Sequence, residues 1–181
     1  MGAPAEQDPL VTIRPVRPGE HEGAGALVVA AYAALPGGHS SPDYERELAD
    51  VARRSKEAEV LVAVDPDDTL LGCVTFVPDT TSPWAELVEE GESAIRMLAV
   101  DPASQGRGIG RQLLRICIDR ARERGSVGLF LHSTPWMAAA HHLYEQAGFV
   151  RVPERDWRPV PDVPLMAYRL DLMAPGRGGP A

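Results

Sequence analysis

The sequence Gln105-Gly106-Arg107-Gly108-Ile109-Gly110-Arg111 joins a short apolar run to a long amphipathic segment. The run before it, Ile95–Val100, predicts a strand, and the segment after it, Leu113–Arg124, repeats apolar residues with helical spacing. Three glycines let the backbone turn tightly and approach a ligand. The first N–H groups of the helix lack partners inside the helix and lie at the positive end of its dipole. The junction therefore predicts a phosphate-binding site.

Two arginines, Arg107 and Arg111, lie at the start of this helix, and no acidic side chain in the first turn balances them. A cation at this end opposes the helix dipole and destabilises the helix by a few tenths of a kcal/mol or more. An anion with more than one charge, such as a pyrophosphate, would account for their placement. The alternative is that both side chains simply point into water.

Two common phosphate-binding motifs fit poorly. A P-loop needs Gly-Lys followed by Ser or Thr, and the glycine run contains no lysine. A dinucleotide-binding turn has the spacing Gly-x-Gly-x-x-Gly and an acidic residue at the end of the next strand. Here the spacing is Gly-x-Gly-x-Gly, and the next predicted strand, Val127–Leu131, ends in His132-Ser133-Thr134 with no carboxylate. Both interpretations are weakened.

The glycine run instead resembles the acetyl-CoA-binding motif of the GNAT superfamily of N-acetyltransferases, which has the form Gln/Arg-x-x-Gly-x-Gly/Ala after a strand that ends in an apolar residue. Gln105–Gly110 matches that form, with Leu98-Ala99-Val100 upstream. A second block, Leu143–Phe149, is similar to the Leu-Tyr-Glu-x-x-Gly-Phe signature of the family's next helix. The resemblance is strong over Ile95–Val152 and only topological over Val11–Val77.

The resemblance implies an α+β fold with a GNAT-like mixed, mostly antiparallel central sheet of about seven strands and helices on both faces. The order of predicted elements agrees with it: strand, two helices, three strands, helix, strand, helix and two strands. We expect a single acetyltransferase domain over residues 10–173. Residues 1–9 and 174–181 are rich in small residues and proline, and we expect them to form flexible tails.

Local patterns place the elements before the glycine run. Leu10–Val16 alternates in polarity and predicts a first strand, at a sheet edge because it contains a proline. Ser41 as N-cap, followed by a proline, predicts a helix that runs to about Ser55. Strands at Glu59–Val64 and Leu70–Val77 are joined by an Asp/Pro turn and predict a hairpin.

Composition argues against several classes of function. The chain has 181 residues and a net charge of −8, whereas a general nucleic-acid binder needs a positive surface. Its two cysteines, Cys73 and Cys117, lie in apolar runs and predict buried thiols rather than a disulfide framework. No segment is long and apolar enough to cross a membrane, and no signal pattern begins the sequence, so we expect a cytoplasmic protein. No metal site is expected, and a homodimer is left open.

The resemblance assigns the contacts with acetyl-CoA to the glycine run and to the strand before it. In the family the strands at Ala94–Val100 and Val127–Leu131 run parallel and then splay, which exposes backbone groups of Leu98 and Val100 to the pantetheine and the acetyl carbonyl. A backbone N–H aimed at that oxygen stabilises the negative charge that grows during attack. The residues expected to hold acetyl-CoA are Leu98, Ala99, Val100, Gln105, Gly106, Arg107, Gly108, Ile109, Gly110 and Arg111.

Proton transfer involves two expected residues. In the family a tyrosine at the position of Tyr144 gives a proton to the leaving thiolate, and the alternative is a core tyrosine with a satisfied hydroxyl. Several relatives carry a glutamate general base at the position of Ala94, which cannot serve. Glu92 lies two residues earlier on the same strand face and is the candidate, with an ordered water as the alternative.

One departure from the family concerns the residue seven positions before Tyr144. The family often carries an asparagine that contacts the cofactor there, and this chain has Met137. The residues that contact the pantetheine or the adenine on that side are therefore not identified by the resemblance. His132 and Ser133, at the end of the preceding strand, are candidates to replace them.

The acceptor site is the least specified part of the sequence. The walls of the acceptor site are expected to be loops that carry Tyr32, His39, Trp84 and Trp157. Aromatic rings near acidic side chains favour binding of a cationic amine. The expected function is direct transfer of an acetyl group from acetyl-CoA to a primary amine of a small molecule or peptide. The alternatives are a non-catalytic acyl-CoA-binding sensor or regulatory module, and transfer of a longer acyl group such as succinyl.

Overall fold

The computed structural model describes residues 10–37, 41–160 and 162–173. The expected tails at 1–9 and 174–181, and His39, lie outside the described residues. The described part of the chain forms strands and α-helices with these bounds: β1 Thr12–Pro15, α1 His21–Ala33, α2 Pro42–Ala49, α3 Val51–Glu57, β2 Glu59–Val64, β3 Leu70–Val77, β4 Glu92–Val100, α4 Ile109–Glu123, β5 Gly128–Ser133, α5 Ala138–Gln146, β6 Val150–Arg151, β7 Trp157–Val160 and β8 Val163–Asp171.

The strands form a mixed sheet with the order β1-β2-β3-β4-β5-β8-β6, and β7 pairs with β8 beside it. Neighbouring strands are antiparallel except for β4 and β5, which are parallel. The strand that contains Pro15 lies at the edge, as a proline requires, because it cannot donate to a ladder on both sides. The predicted mostly antiparallel α+β sheet is confirmed.

Helices cover both faces of the sheet, as expected. Side chains alternate along each strand, so that Val60 and Val62 of β2 pack with α1 on one face. Leu61 and Ala63 of the same strand pack with α4 on the other face. The two apolar clusters lie on opposite sides of one sheet, and the site described below opens where this sheet separates.

The helix expected to run to about Ser55 is divided into α2 and α3. Its start is as predicted, since Ser41 Oγ accepts from the backbone N–H of Tyr44 at 3.2 Å. Asp50 interrupts it with φ −81° and ψ 64°, and its carboxylate accepts from the backbone N–H of Arg53 at 3.0 Å. Aspartate side chains compete with helical hydrogen bonds in this way, and here Asp50 begins a new helix as an N-cap.

A fully buried arginine fixes the position of α2. Arg54 of α3 donates to the backbone carbonyls of Glu47 and Leu48, which lie in the last turn of α2. The last carbonyls of a helix lack partners inside the helix, so the guanidinium satisfies them and ties α2 to α3. Tyr44 of α2 is thereby held near the ring of Tyr32 of α1, at 6.3 Å between centroids.

Candidate active site

The parallel strands β4 and β5 separate before either ends. Their pairing runs from Glu92↔Gly128 to Ile95↔Leu131 and stops there. Beyond this point β5 continues to Ser133 and pairs only with β8. The splay expected between these two strands is therefore present, and it leaves a gap in the middle of the sheet.

A bulge in β4 lies at the edge of this gap. Thr75 of β3 faces Arg96, whereas Cys73 faces Ala99, so β4 contains one extra residue opposite β3. Met97 accommodates the extra residue by adopting a φ of 52°. This backbone conformation is strained for a residue other than glycine, and it is found in bulges and at functional sites.

The bulge determines which backbone groups face the gap. The backbone N–H of Asp101 donates to Leu71 O at 2.9 Å, so Asp101 bonds toward β3. Hydrogen bonds alternate along an antiparallel pair, and Ala99 therefore bonds toward β3 as well. The N–H and C=O groups of Leu98 and Val100 face the other way, into the gap that β5 has left.

The first turn of α4 borders the same gap. The backbone N–H of Gln112 donates to Gly108 O at 3.1 Å, so the three N–H groups before Gln112 lack helical partners. Gly108 caps the helix with φ 76°, which favours glycine. Gly110 packs directly on the strand, since a Cβ added there would lie 3.6 Å from Val100 and 3.8 Å from Leu98.

A cleft of about 720 Å³ lies over the gap and the start of α4. Of the residues expected to hold acetyl-CoA, all except Arg107 line it. Arg107 is exposed beside it, and Arg111 donates to Gln146 Oε1 at 3.1 Å. A Cβ added to Gly106 would have no atom within 4 Å, so the backbone of this loop is open to a ligand. Free N–H groups, open backbone and flanking arginines fit the phosphates of acetyl-CoA.

A smaller cavity of about 90 Å³ adjoins the cleft, and Tyr32 and Met137 line both. Tyr32 and Trp84 were expected in the acceptor wall, and both line the small cavity. Trp157 does not line it, but its ring lies 6.2 Å from that of His132, which does. Thr134 also lines it, and its hydroxyl is buried with no hydrogen-bond partner among the described residues. Buried polar groups in proteins are nearly always hydrogen-bonded, so this hydroxyl can bond a water molecule or a polar ligand in the cavity.

A charged pair lies in the wall of this acceptor cavity. Arg96 donates to Glu86 and to the Trp84 carbonyl, the latter at 3.0 Å, and its guanidinium lies 5.8 Å from the Trp84 ring centroid. The sequence interpretation missed Glu86 and Tyr44 as lining residues. Glu86 belongs to an acidic run that resembles a solvated face, and Tyr44 is brought in by the packing of α2.

Tyr144 of α5 points inward between the sheet and α4. It is 4% exposed, and its ring centroid lies 5.9 Å from those of Phe149 and Tyr168. Its hydroxyl hydrogen-bonds to none of the described residues. Tyr144 itself lines neither cavity, but Ala140 and Leu143 on the same helix line the cleft. Burial raises the pKa of this hydroxyl above its ordinary value, so it is protonated at neutral pH.

The structure does not support Glu92 as the general base. Glu92 lies six residues from Leu98, roughly 20 Å along an extended strand, and it lines neither cavity. Its carboxylate is 2% exposed and accepts from Arg155 at 2.8 Å and Arg169 at 2.6 Å. Burial alone would raise the pKa of Glu92, but these hydrogen bonds outweigh it and the pKa lies below its ordinary value. We correct its role to that of a buried ion-pair partner.

Membrane and metal features were searched over residues 10–37, 41–160 and 162–173. No helix in these ranges has the length and apolar character that a membrane crossing requires. The same ranges contain no group of three or more His, Cys, Asp or Glu side chains that could hold a metal ion.

A family model described as the acetyltransferase (GNAT) family matches residues 27–149. The mycothiol acetyltransferase of Saccharopolyspora erythraea is 30% identical over 150 residues, which are 82% of this chain and 46% of that protein. The streptothricin acetyltransferase of Streptomyces lavendulae is 37% identical over 93 residues, 51% of this chain and 45% of that protein. The chain thus spans about half the length of these curated relatives.

A solved structure has the same fold. It is a putative acetyltransferase from Salmonella typhimurium with its cofactor acetyl-CoA, which superposes with a TM-score of 0.64 at 22% identity and covers 94% of this chain and 98% of its own. Acetyl-CoA is the cosubstrate of the GNAT family of acetyltransferases. With its glycine run at the start of α4, its splayed β4 and β5 and the match over residues 27–149, the chain belongs to the GNAT family of acetyltransferases.

Proposed function

We propose that the protein is an N-acetyltransferase that moves an acetyl group from acetyl-CoA directly to a primary amine of a small molecule or peptide. The observation that carries this proposal is the gap between β4 and β5, where the cleft over α4 meets the acceptor cavity. Two reactants that enter from opposite sides of this gap are held with their reacting atoms close together, which lowers the entropic cost of their meeting.

Backbone groups hold acetyl-CoA in this proposal. The free N–H groups at the start of α4 bind the pyrophosphate, with Arg107 and Arg111 beside it. The backbone of Leu98 and Val100 bonds the pantetheine and directs an N–H at the acetyl oxygen. Because that oxygen gains negative charge as the amine attacks, this N–H lowers the barrier. Tyr144 gives its hydroxyl proton to the leaving sulfur.

The acceptor is a cationic amine. The rings of Tyr32, Tyr44 and Trp84 and the carboxylate of Glu86 line the small cavity. A ring face attracts a cation, and a carboxylate adds direct charge attraction. Arg96 neutralises part of the Glu86 charge, so the rings supply much of the selectivity. Two relatives are named as acetyltransferases of mycothiol and streptothricin, which supports acetyl transfer as the reaction.

Replacement of Gly108 by valine tests the cosubstrate site. Gly108 has φ 76°, and the side chain of valine would crowd the space in front of the free N–H groups. We expect the dissociation constant for acetyl-CoA, measured by calorimetry, to rise by about tenfold or more, a loss of about 1.4 kcal/mol of binding free energy.

The matched control is Gly125→Val at the other end of α4. Gly125 has φ 73°, and a Cβ there would meet no atom within 4 Å, so the backbone strain is similar but lies far from the cleft. The control should bind acetyl-CoA like the wild type. Equal affinity in all three proteins would show that the glycine run is not the binding site. Binding of acetyl-CoA without transfer to any of a panel of primary amines would favour the sensor alternative.

Direct transfer also predicts that no acetylated cysteine forms. Cys73 and Cys117 are both buried. Burial raises the pKa of Cys73 to about 12 and the pKa of Cys117 further, so neither is a nucleophilic thiolate at neutral pH. Mass spectrometry of the protein with acetyl-CoA should find no acetyl group on either thiol. A modified cysteine that passes its acetyl group to the amine would contradict direct transfer.

A further inference from the structure

His132 lies at the point where β4 and β5 separate. His132 is the first residue of β5 beyond the last β4–β5 pair, Ile95↔Leu131, and it lines the acceptor cavity. The side chain is half-buried and packs edge-on against Phe130, with ring centroids 4.8 Å apart. The imidazole therefore borders the gap in which the amine nitrogen must meet the acetyl carbon.

The hydrogen bonding of this ring determines which nitrogen carries the proton. His132 Nε2 lies 3.0 Å from the backbone carbonyl oxygen of Arg155. A carbonyl only accepts, so Nε2 carries the proton in the neutral ring and Nδ1 keeps a lone pair. Nδ1 hydrogen-bonds to none of the described residues, and His132 lines the acceptor cavity. The imidazole therefore places a basic nitrogen in the wall of that cavity.

The carbonyl that orients His132 is itself held firmly. The guanidinium of Arg155 donates to both carboxylate oxygens of Glu92, at 3.1 and 2.8 Å, and lies 3.8 Å from the Phe130 ring centroid. The next residue, Asp156, accepts from the backbone N–H of Ala167 at 2.8 Å. The segment before β7 is thus tied to β4, β5 and β8. Glu92 therefore influences the imidazole indirectly. Its carboxylate holds the Arg155 side chain, and the backbone carbonyl of Arg155 orients the His132 ring.

We propose that His132 is the general base of the transfer, a role that rests on the proposed acetyltransferase function. The bound cationic amine first releases one proton to solvent, because only the neutral amine has the lone pair that attacks. His132 Nδ1 accepts the second proton, which the amine nitrogen loses as it bonds to the acetyl carbon. The bond from that carbon to sulfur breaks, and Tyr144 gives its hydroxyl proton to the sulfur. The imidazolium then releases a proton to solvent and the Tyr144 phenolate takes one up, so the products are the N-acetyl amine and the free thiol.

The surroundings keep this imidazole neutral at neutral pH, as a base requires. Burial lowers the pKa of His132 below its ordinary value, and the charges of Arg96 and Arg155 lower it further. The hydrogen bond to the Arg155 carbonyl and the charge of Asp156 act in the opposite direction and are weaker in sum. The other titratable groups that line the cavity come from α1, α2 and the loop before β4: Tyr32, Tyr44 and Glu86.

The variant His132→Gln tests the role without removing the hydrogen bond, because a glutamine amide can still donate to the Arg155 carbonyl but has no basic nitrogen. The acceptor used is whichever member of a panel of primary amines the wild type acetylates fastest. We expect kcat at pH 7 to fall by about tenfold to a hundredfold, with the dissociation constant for acetyl-CoA unchanged. The wild-type profile of kcat against pH should fall on the acid side with an apparent pKa below about 6.5, and His132→Gln should lack this limb.

The matched control is His141→Gln. His141 lies nearby on α5, lines neither cavity, and has Nε2 2.9 Å from the Thr134 carbonyl. Its variant should keep both the rate and the acid limb. Because His132→Gln could also act by distorting the fold, thermal unfolding of each variant is compared with that of the wild type, and nitrogen NMR of the wild type should show His132 protonated at Nε2 and bare at Nδ1.

The outcomes separate the two proposals. An acid limb that persists in His132→Gln, or a His132 protonated at Nδ1 in the neutral ring, would overturn the role of His132 and leave the acetyltransferase function in place. A wild-type chain that acetylates no amine in the panel would overturn the proposed function and this role with it.

Discussion

Replacement of Tyr144 by phenylalanine is expected to lower kcat for acetyl transfer by about a hundredfold or more while the affinity for acetyl-CoA barely changes. The ring packs between Phe149 and Tyr168 and can stay there, because its hydroxyl makes no hydrogen bond to the described residues. The hydroxyl is protonated at neutral pH because burial raises its pKa, and so it can give a proton to the leaving sulfur. Steady-state kinetics and calorimetry on the same protein would separate the two effects.

Tyr168→Phe is the matched control for this variant. Tyr168 is 2% exposed and lies in the same aromatic cluster, with its ring centroid 5.9 Å from that of Tyr144. Neither tyrosine lines either cavity, but Tyr144 directly follows Leu143, which lines the cleft, whereas Tyr168 lies on β8. Loss of its hydroxyl should change kcat only a few-fold. Full activity in Tyr144→Phe would mean that water protonates the thiolate and that Tyr144 is a core residue. An equal loss in both variants would indicate an effect on packing rather than on proton transfer.

Local patterns in the sequence were sufficient to predict the strand, the loop and the helix start that line the cleft. The glycine run, the apolar residues before it and the first turn of α4 are contiguous in the chain, and their hydrogen-bonding needs follow from helix geometry alone. The exposure of the backbone at Leu98 and Val100 was expected from the family resemblance, and the end of β4–β5 pairing at Ile95 agrees with it. The sheet class and the two helical faces followed from the order of elements.

The acceptor side depends on contacts between distant parts of the chain. Glu92 was the candidate base because it lies two residues before Ala94 on the same strand face, but its partners Arg155 and Arg169 lie 63 and 77 residues away in sequence. Tyr44 reaches the cavity only because Asp50 divides the second helix and Arg54 ties its two halves together. No spacing within a segment reports such pairings, so the ion pairs of Glu92 and the place of Tyr44 in the cavity wall could not be predicted from sequence, whereas Tyr32 and Trp84 were.

Replacement of Glu92 by glutamine is expected to reduce the free energy of unfolding at pH 7 by about 3–5 kcal/mol, since it removes the shared anion of a buried ion-pair cluster. Arg155 and Arg169 would keep their charges without a carboxylate between them, and Arg155 is only 12% exposed. Denaturant unfolding measures the loss. The matched control is Glu59→Gln: Glu59 is likewise the first residue of its strand and pairs with Arg120 at 3.0 Å, but it is 32% exposed, so its loss should be about 0–1 kcal/mol.

The pH dependence of this loss identifies the charge of Glu92 as its cause. The pKa of Glu92 is lower in the folded protein than its ordinary value, so its contribution is fully present above the unfolded pKa of about 4.3. The contribution disappears as the pH falls through the lower, folded pKa, because the carboxyl is then protonated in both states. The difference in stability between wild type and Glu92→Gln should therefore shrink below about pH 4. A difference that stays constant down to pH 3 would mean that packing, not charge, accounts for the loss. A general base at Glu92 would in addition produce a loss of activity that high pH partly restores.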